Sequence, residues 1–311
     1  MQLKDDYSTI IIIVTYNGMK WLPKCLKSTK PYPVVVVDNN STDDTSEYIK
    51  NNHPGIKIFE QRKNLGFGQA NNIGISYALK EGADFVFLLN QDAYLLSDCL
   101  ESLIKAQIAN SEYGILSPVH LNGEGNRLDE NFSNYLSYSR NNDFYSDYVL
   151  NKTKQEIYEV PFVNAAGWLI SRNCLESVGG FDPIFFHYGE DENYCHRVIF
   201  HDLKIGVMPN LFLWHDRENR SEKFDENSLE ILERNLKIKF SDINKENLFH
   251  IENSLLNRKK SRLKAYLKLN FQAGNDYRKE IRMLEKIIPQ IKRSRKLNKQ
   301  KGTNYLTYHD K

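Results

Sequence analysis

Several polar clusters in this chain sit immediately after short apolar runs, where side chains are free to meet a ligand. TYNG (Thr15 to Gly18) closes one such run and DNNSTDDT (Asp38 to Thr45) closes the next. An acid at the end of a second parallel strand can accept hydrogen bonds from a ribose or from a base imide N–H. Asn, Ser, Thr and Asp are also the residues of turns and helix caps, so taken alone the two clusters fit either reading. KNLGFGQANNIG (Lys63 to Gly74) places Asn71 where a dinucleotide fingerprint would carry its third glycine, which removes the G-x-G-x-x-G pattern and weakens a dehydrogenase reading. Backbone N–H groups at a glycine-rich helix start still suit a phosphate or a sugar. LLNQDAYL (Leu88 to Leu95) ends its apolar run in Asn90, Gln91 and Asp92. A carboxylate on such an edge can bind a divalent cation that bridges two phosphates, although an isolated Asp there is more often a cap.

Further along, GGFDPIFFHYGEDENYCHR (Gly179 to Arg197) sets Glu190 and Asp191 at a helix start. The helix dipole favours acids there, so capping is the plainer explanation. The neighbouring Phe185, Phe186, His187 and Tyr188 add a surface on which a sugar could stack and that would exclude water around a general base. Trp214, His215 and Asp216 follow another strand-like run, where a His can act as a metal ligand.

The elements that must position these residues follow from periodicity. Apolar runs at Thr9 to Thr15, Pro33 to Asp38, Ile56 to Glu60 and Asp84 to Asn90 read as strands. Helical spacing around Trp21 to Leu26, Ser41 to Asn51 and Gln69 to Glu81 joins them, which predicts βαβ units and a parallel sheet with helices on both faces. A helix is expected over Ser97 to Ala109 and a strand over Gly114 to Val119. The polar, aromatic-rich Leu121 to Glu156 reads as a long loop or a pair of short elements over the site. Strands are expected at Val160 to Asn164 and Trp168 to Arg172, a helix at Glu190 to His201, and a strand pair interrupted by Pro209 at Ile205 to Trp214. The remainder is charged and helical.

Composition sets the frame. A chain of 311 residues with 41% hydrophobic content can bury a core without staples. Four scattered cysteines signal neither a disulfide framework nor a zinc site, and the longest apolar runs are strand-length. The net charge of +2 is uneven: 17 Lys and Arg against 4 acids follow Asn257. Such a tail suits anionic lipid head groups or nucleic acid, with a solvated helical face as the plainer reading.

In this order and spacing the clusters resemble the family 2 inverting glycosyltransferases of the GT-A fold, within them the bacterial branch of rhamnosyltransferase-like and galactofuranosyltransferase-like enzymes. The resemblance runs from about Thr9 to His215. It implies an α/β fold: a Rossmann-like, mostly parallel sheet flanked by helices, with a C-terminal helical extension. It also implies a catalytic domain over residues 1–218, with a nucleotide-sugar-binding half (about 1–95) and an acceptor and catalytic half (about 96–218), followed by a basic helical region, 219–311. By the same resemblance Thr15, Tyr16 and Asn17 line a nucleotide pocket, Asp38 binds the base, and Asn64, Gly66 and Asn71 lie near the nucleotide or donor sugar. Asn90-Gln91-Asp92 stands where the family carries DxD, with Asn90 in place of the first Asp, Asn90 and Gln91 toward the donor, and Asp92 as metal ligand. His215 completes the metal site, for Mn²⁺ or Mg²⁺. Asp191 matches the general base of the family's ED motif, with Glu190 beside it, and Trp168 and Tyr188 are the expected acceptor contacts.

The expected partners are a nucleotide diphosphate sugar donor and a saccharide or lipid-linked saccharide acceptor, not nucleic acid. The expected location is cytoplasmic, with peripheral contact at the inner face of the cell membrane through the basic region. A catalytically inactive nucleotide-sugar-binding or scaffold subunit is the alternative from another class, and Asn90 and the basic tail are its only hints.

Overall fold

The computed structural model describes residues 7–217 and 228–307. Its first part is three consecutive βαβ units: β1 (Thr9–Thr15), α1 (Leu22–Ser28), β2 (Val34–Asp38), α2 (Thr45–Asn52), β3 (Lys57–Glu60), α3 (Phe67–Lys80) and β4 (Phe85–Asn90). β1, TIIIIVT, does not alternate because helices cover the sheet on both faces, and six of its seven residues are buried. There follow β5 (Ala93–Leu95), α4 (Cys99–Ala109), β6 (Tyr113–Asn122), α5 (Glu130–Tyr135), α6 (Asn142–Val149), β7 (Tyr158–Glu159), β8 (Gly167–Ser171), α7 (Arg172–Val178), α8 (Glu190–Phe200) and β9 (Lys204–His215). The chain ends in α9 (Leu229–Ser241), α10 (Leu248–Leu267) and α11 (Phe271–Asn298).

The strands form one sheet in the order β3-β2-β1-β4-β8-β6-β9-β5, with β7 paired to β9. β1 to β4, β6 and β9 run one way, while β5, β7 and β8 run against them. Strand order reverses between β1 and β4: β2 and β3 lie on one side of β1 and β4 on the other. That reversal opens a crevice at the carboxyl ends of the two strands, the position where open α/β sheets take their ligands. TYNG and NQD are the residues that leave β1 and β4 at this point.

Two elements differ from the sequence expectation, and prolines account for both. Val160 to Asn164 is not a strand: only Val160 N–H reaches the sheet, on Ile205 O at 2.9 Å, and Pro161 has no N–H to continue the ladder. Ile205 to Trp214 is one strand, not two, because Pro209 falls where the β6–β9 register slips, and the bulge absorbs the missing donor. The Leu121 to Glu156 segment is a pair of short helices, capped by the side chains of Asp129 and Asn141.

The C-terminal helices build their own small core from Phe240, Ile251, Leu284, Ile287 and Ile291. Asp182 accepts from Ser294 (2.6 Å) and Asn298 (2.8 Å), Gly180 N–H donates to Asn304 O (2.7 Å), and Thr307 N–H donates to Ser76 Oγ (3.1 Å). The final segment therefore clamps the Gly179-Gly180-Phe181-Asp182 turn onto α3. The division expected near Asn219 lies outside the described residues. All four cysteines are buried and unbridged, and among the described residues no helix is long and apolar enough to cross a membrane.

Candidate active site

At the nucleotide end, side chains of the β2–α2 loop lace the β1–α1 loop in place. Asp38 accepts from Thr15 Oγ1 (2.9 Å) and from the N–H (3.0 Å) and hydroxyl (2.5 Å) of Ser41. Asn17 adopts positive φ and accepts from Thr42 N–H (2.8 Å), while Gly18 N–H donates to Thr45 Oγ1 (2.9 Å). Gln91 turns its amide onto the backbone of Tyr16, accepting from its N–H (2.9 Å) and donating to its carbonyl (3.1 Å). Gln91 thus joins the two edges of the crevice. Tyr16 leaves its ring half exposed above it.

The glycine-rich segment meets protein. Asn64 Oδ1 accepts from Gly66 N–H and from Asn39, both at 2.8 Å. Gly66 has φ of +80°, and a Cβ there would lie 1.8 Å from Phe186 O; one on Gly68 would lie 2.8 Å from Phe181 Cβ. Close approach of the 181–190 segment therefore accounts for both glycines. Asn71, buried, donates back to Phe67 O at 3.0 Å, and its neighbour Asn72 grips both N–H and C=O of Phe181.

At the other edge, antiparallel pairing of β5 with β9 sets Ala93 opposite His215. Asp92 and His215 are almost fully enclosed, at 0% and 1% exposure, with Asp92 Oδ1 3.6 Å from His215 Nε2. Asn90 Nδ2 is 3.5 Å from the same nitrogen. An oxygen and a nitrogen at this spacing can share one cation at ~2.1 Å bonds with little movement. Among the described residues no three or more His, Cys, Asp or Glu side chains gather as a metal cage, so the remaining ligands would come from phosphate and water.

Asp129, Arg217 and Tyr135 belong here too, though the sequence did not single them out. Arg217 makes a two-pronged pair with Asp129, through Nε at 2.8 Å and through Nη2. Asp129 Oδ2 lies 3.9 Å from His215 Nδ1, on the side of the ring away from Asp92. At that separation, beyond a hydrogen bond, the carboxylate acts on the ring through its charge and would need a small shift to accept from Nδ1–H and so leave Nε2 to a metal. The only signal for Asp129 in the sequence was its helix-capping position, which it also fills. Tyr135 stands beside Asp191, Arg217 and Asp129, and burial, then the Asp191 charge, push its hydroxyl up to about 12.

Glu190 and Asp191 open α8. Asp191 Oδ1 accepts from Glu192 N–H at 2.9 Å within the first turn, while the N-cap itself is Gly189, which has no side chain to cap with. Burial raises the carboxyls of both acids above the ordinary range; Glu190 is raised further by the Asp191 charge, whereas backbone N–H groups of Glu192 and Ala165 hold Asp191 back. Phe186 and Tyr188 are exposed beside them, with Tyr188 at positive φ and Arg234 over its ring.

Trp168 is a correction. It lies at 0% exposure, stacked on Phe181 (6.2 Å) and against Tyr194 (5.8 Å), because β8 is an interior strand whose pleat turns this side chain under α8. No face remains for an acceptor. Trp168→Ala is expected to cost roughly 3 to 5 kcal/mol of stability, as truncation of a large buried aromatic does, read by denaturant unfolding. An acceptor-contact role would instead lower transfer at unchanged stability.

Comparison with known proteins adds to this geometry. The model of "Glycosyl transferase family 2" matches residues 10–179. A hexosyltransferase of low-salt glycan biosynthesis, Agl10 of Haloferax volcanii, is 26% identical over 225 residues, 71% of this chain and 70% of that protein. The N-acetylglucosaminyl-diphospho-decaprenol L-rhamnosyltransferase of Mycobacterium tuberculosis is 25% identical over 214 residues, 60% of this chain and 69% of that one. Among solved structures, Staphylococcus aureus TarS with UDP-GlcNAc aligns at a TM-score of 0.52 and 17% identity, over 94% of this chain and 89% of the other, a likeness of fold. With the family model covering more than half its length, including the strands β1 and β4 whose ends form the crevice, this chain belongs to glycosyl transferase family 2 and is a glycosyltransferase of the GT-A fold.

Proposed function

We propose that this enzyme moves one sugar from a nucleotide diphosphate donor to an acceptor hydroxyl with inversion at the anomeric carbon. The observation that carries the reading is the enclosed pair of Asp92 and His215, 3.6 Å apart at the edge of the crevice, with Asp191 at the start of α8 as the candidate base. On this reading a base and a cation site serve one crevice at the sheet's switch point. The nucleotide lies along the Thr15 to Asn17 and Asp38 to Ser41 loops, with the exposed Tyr16 ring available to a base.

Asp92 and His215 are the residues that would hold Mn²⁺ or Mg²⁺, and that ion would neutralise charge growing on the leaving diphosphate. Asp191, ionised, takes the proton of the acceptor hydroxyl. The oxygen bonds to the anomeric carbon on the face opposite the diphosphate, whose bond to that carbon breaks, so configuration inverts. Glu190, enclosed and raised further, stays protonated beside it and leaves the base role to Asp191. Phe186 and Tyr188 offer the acceptor apolar faces. The acceptor is a saccharide, free or lipid-linked, of the kind named for the mycobacterial relative.

A panel of nucleotide diphosphate sugars, each with Mn²⁺ and a mixture of saccharide acceptors, tests the reading: the nucleoside diphosphate should be released with at least one donor, only with metal and faster with acceptor. Release with none would sink it.

The pH profile follows from burial of the acid. Asp191 works only when ionised, and its raised carboxyl moves that requirement up the scale, so transfer should fall on acidification at a pH above the usual carboxylate range. An acid limb near 4 in kcat/KM would contradict this.

A further inference from the structure

The outward face of α10 carries Phe249, Leu256, Leu263 and Leu267, each more than half exposed. Spacings of seven, seven and four residues place them within roughly 40° of arc on an α-helix, in one stripe about 27 Å long. The other side of the helix is occupied: Leu248, Ile251 and Leu255 join the core with α9 and α11, and Ala265 is buried. Leu269 and Phe271, 74% and 60% exposed, extend the apolar surface around the turn into α11. Exposed Lys260, Lys264 and Lys268 climb the helix beside the stripe at four-residue steps, and Lys259 borders its other edge.

Two features decide what covers this stripe. A second copy of the helix would need apolar residues at the alternate heptad positions, and those are Asn253, Lys260 and Leu267 in one frame, of which only Leu267 is apolar, and in the other Glu252, Lys259 and Tyr266. The last three are already engaged, Glu252 with Lys292 (2.5 Å), Lys259 with Glu285 (2.7 Å), and Tyr266 with Phe271 and Gly274. The lysine row also matches an anionic surface and opposes a like-charged one. We propose that α10 lies flat on an anionic lipid bilayer, its leucines and Phe249 at the acyl boundary and Lys260, Lys264 and Lys268 reaching the phosphates.

This places membrane contact on α10 and not on the more basic α11. There, among the described residues, no apolar stripe is exposed beyond Phe271, and part of the charge is engaged: Arg295 points into the carbonyls of Phe240, Asp242 and Lys245, while Lys286, Lys292 and Lys299 pair with Glu233, Glu252 and Glu246.

Co-sedimentation of the full chain with vesicles of phosphatidylglycerol and phosphatidylcholine, against phosphatidylcholine alone, tests the proposal. The chain should partition onto the anionic vesicles at low salt. Leu256→Ser/Leu263→Ser/Leu267→Ser and Lys260→Gln/Lys264→Gln/Lys268→Gln should each weaken binding by roughly tenfold or more, with melting temperature held because these side chains are exposed. No partition of the parent chain, equal binding of either triple variant, or a dimer in light scattering that the leucine variant abolishes would overturn it.

Discussion

Asp191→Asn is expected to lower transfer at least about 100-fold while leaving the fold and donor affinity in place, since general base catalysis is worth roughly 10² to 10⁴ in rate. Asn keeps the side-chain oxygen that accepts from Glu192 N–H. The linkage sign sharpens the expectation. Burial raises the Asp191 carboxyl in the folded chain, so its contribution to stability is fully present below the unfolded value and is lost as pH rises through the folded one. At pH 8 the ionised acid is therefore a burden on the fold, and Asn relieves it. Melting temperature should hold or rise in the variant while transfer collapses. If the residue were only a cap, stability, donor binding and transfer would decline together. Transfer within a few-fold of the parent would move the base elsewhere, to Glu190 first.

Asp92→Asn should be equally severe by a different route. It leaves one strong protein ligand at the proposed cation site, and kcat/KM should drop on the order of 10³-fold, as when a charge-stabilising group is removed from a reacting phosphate. Calorimetry separates this from misfolding: Mn²⁺ should tighten nucleoside diphosphate binding to the parent and do little for the variant. The backbone carbonyl of Asp92, which accepts from Asp216 N–H at 2.8 Å, is untouched by the exchange, so the β5–β9 edge should survive. Asp129→Asn is the milder companion. It acts through His215, and losses of about 10- to 100-fold in metal-dependent affinity are usual for a carboxylate behind a metal-binding His. Unchanged metal dependence in both variants would place the cation, if one is used, away from Asp92 and His215.

The legible part of this molecule was its βαβ half. Continuous β-branched runs such as TIIIIVT, each followed by a polar cluster, specify buried parallel strands with ligand-facing ends, and β1 appeared with the expected bounds. The crevice edges were legible for the same reason, because a residue that ends a run in a parallel sheet has only one place to be. The pairing of Asp92 with His215 followed too, as both leave strands toward the same edge.

What periodicity could not supply was antiparallel company. β8 enters between β4 and β6 with its direction reversed, and nothing local says which face of GWLIS turns inward, so Trp168 was placed at the acceptor when it belongs to the core. The glycines have a second reason that periodicity could not supply. Gly66 and Gly68 read as a phosphate cradle because local sequence cannot reveal that Phe186 and Phe181, more than a hundred positions away, press against them. Asp129 and Arg217 were hidden because their meaning is a single long-range pair. Two prolines departed from expectation in opposite senses: Pro161 ended an expected strand, while Pro209, expected to interrupt one, was carried by a bulge, a distinction set by the partner strand.

The anomeric configuration of the product, read by NMR against that of the donor once a nucleotide sugar has been accepted, tests the account most directly. A single base opposite a metal-held diphosphate predicts the inverted anomer, formed with Mn²⁺ and lost with a chelator. A retained anomer, or transfer undiminished by the chelator, would contradict it.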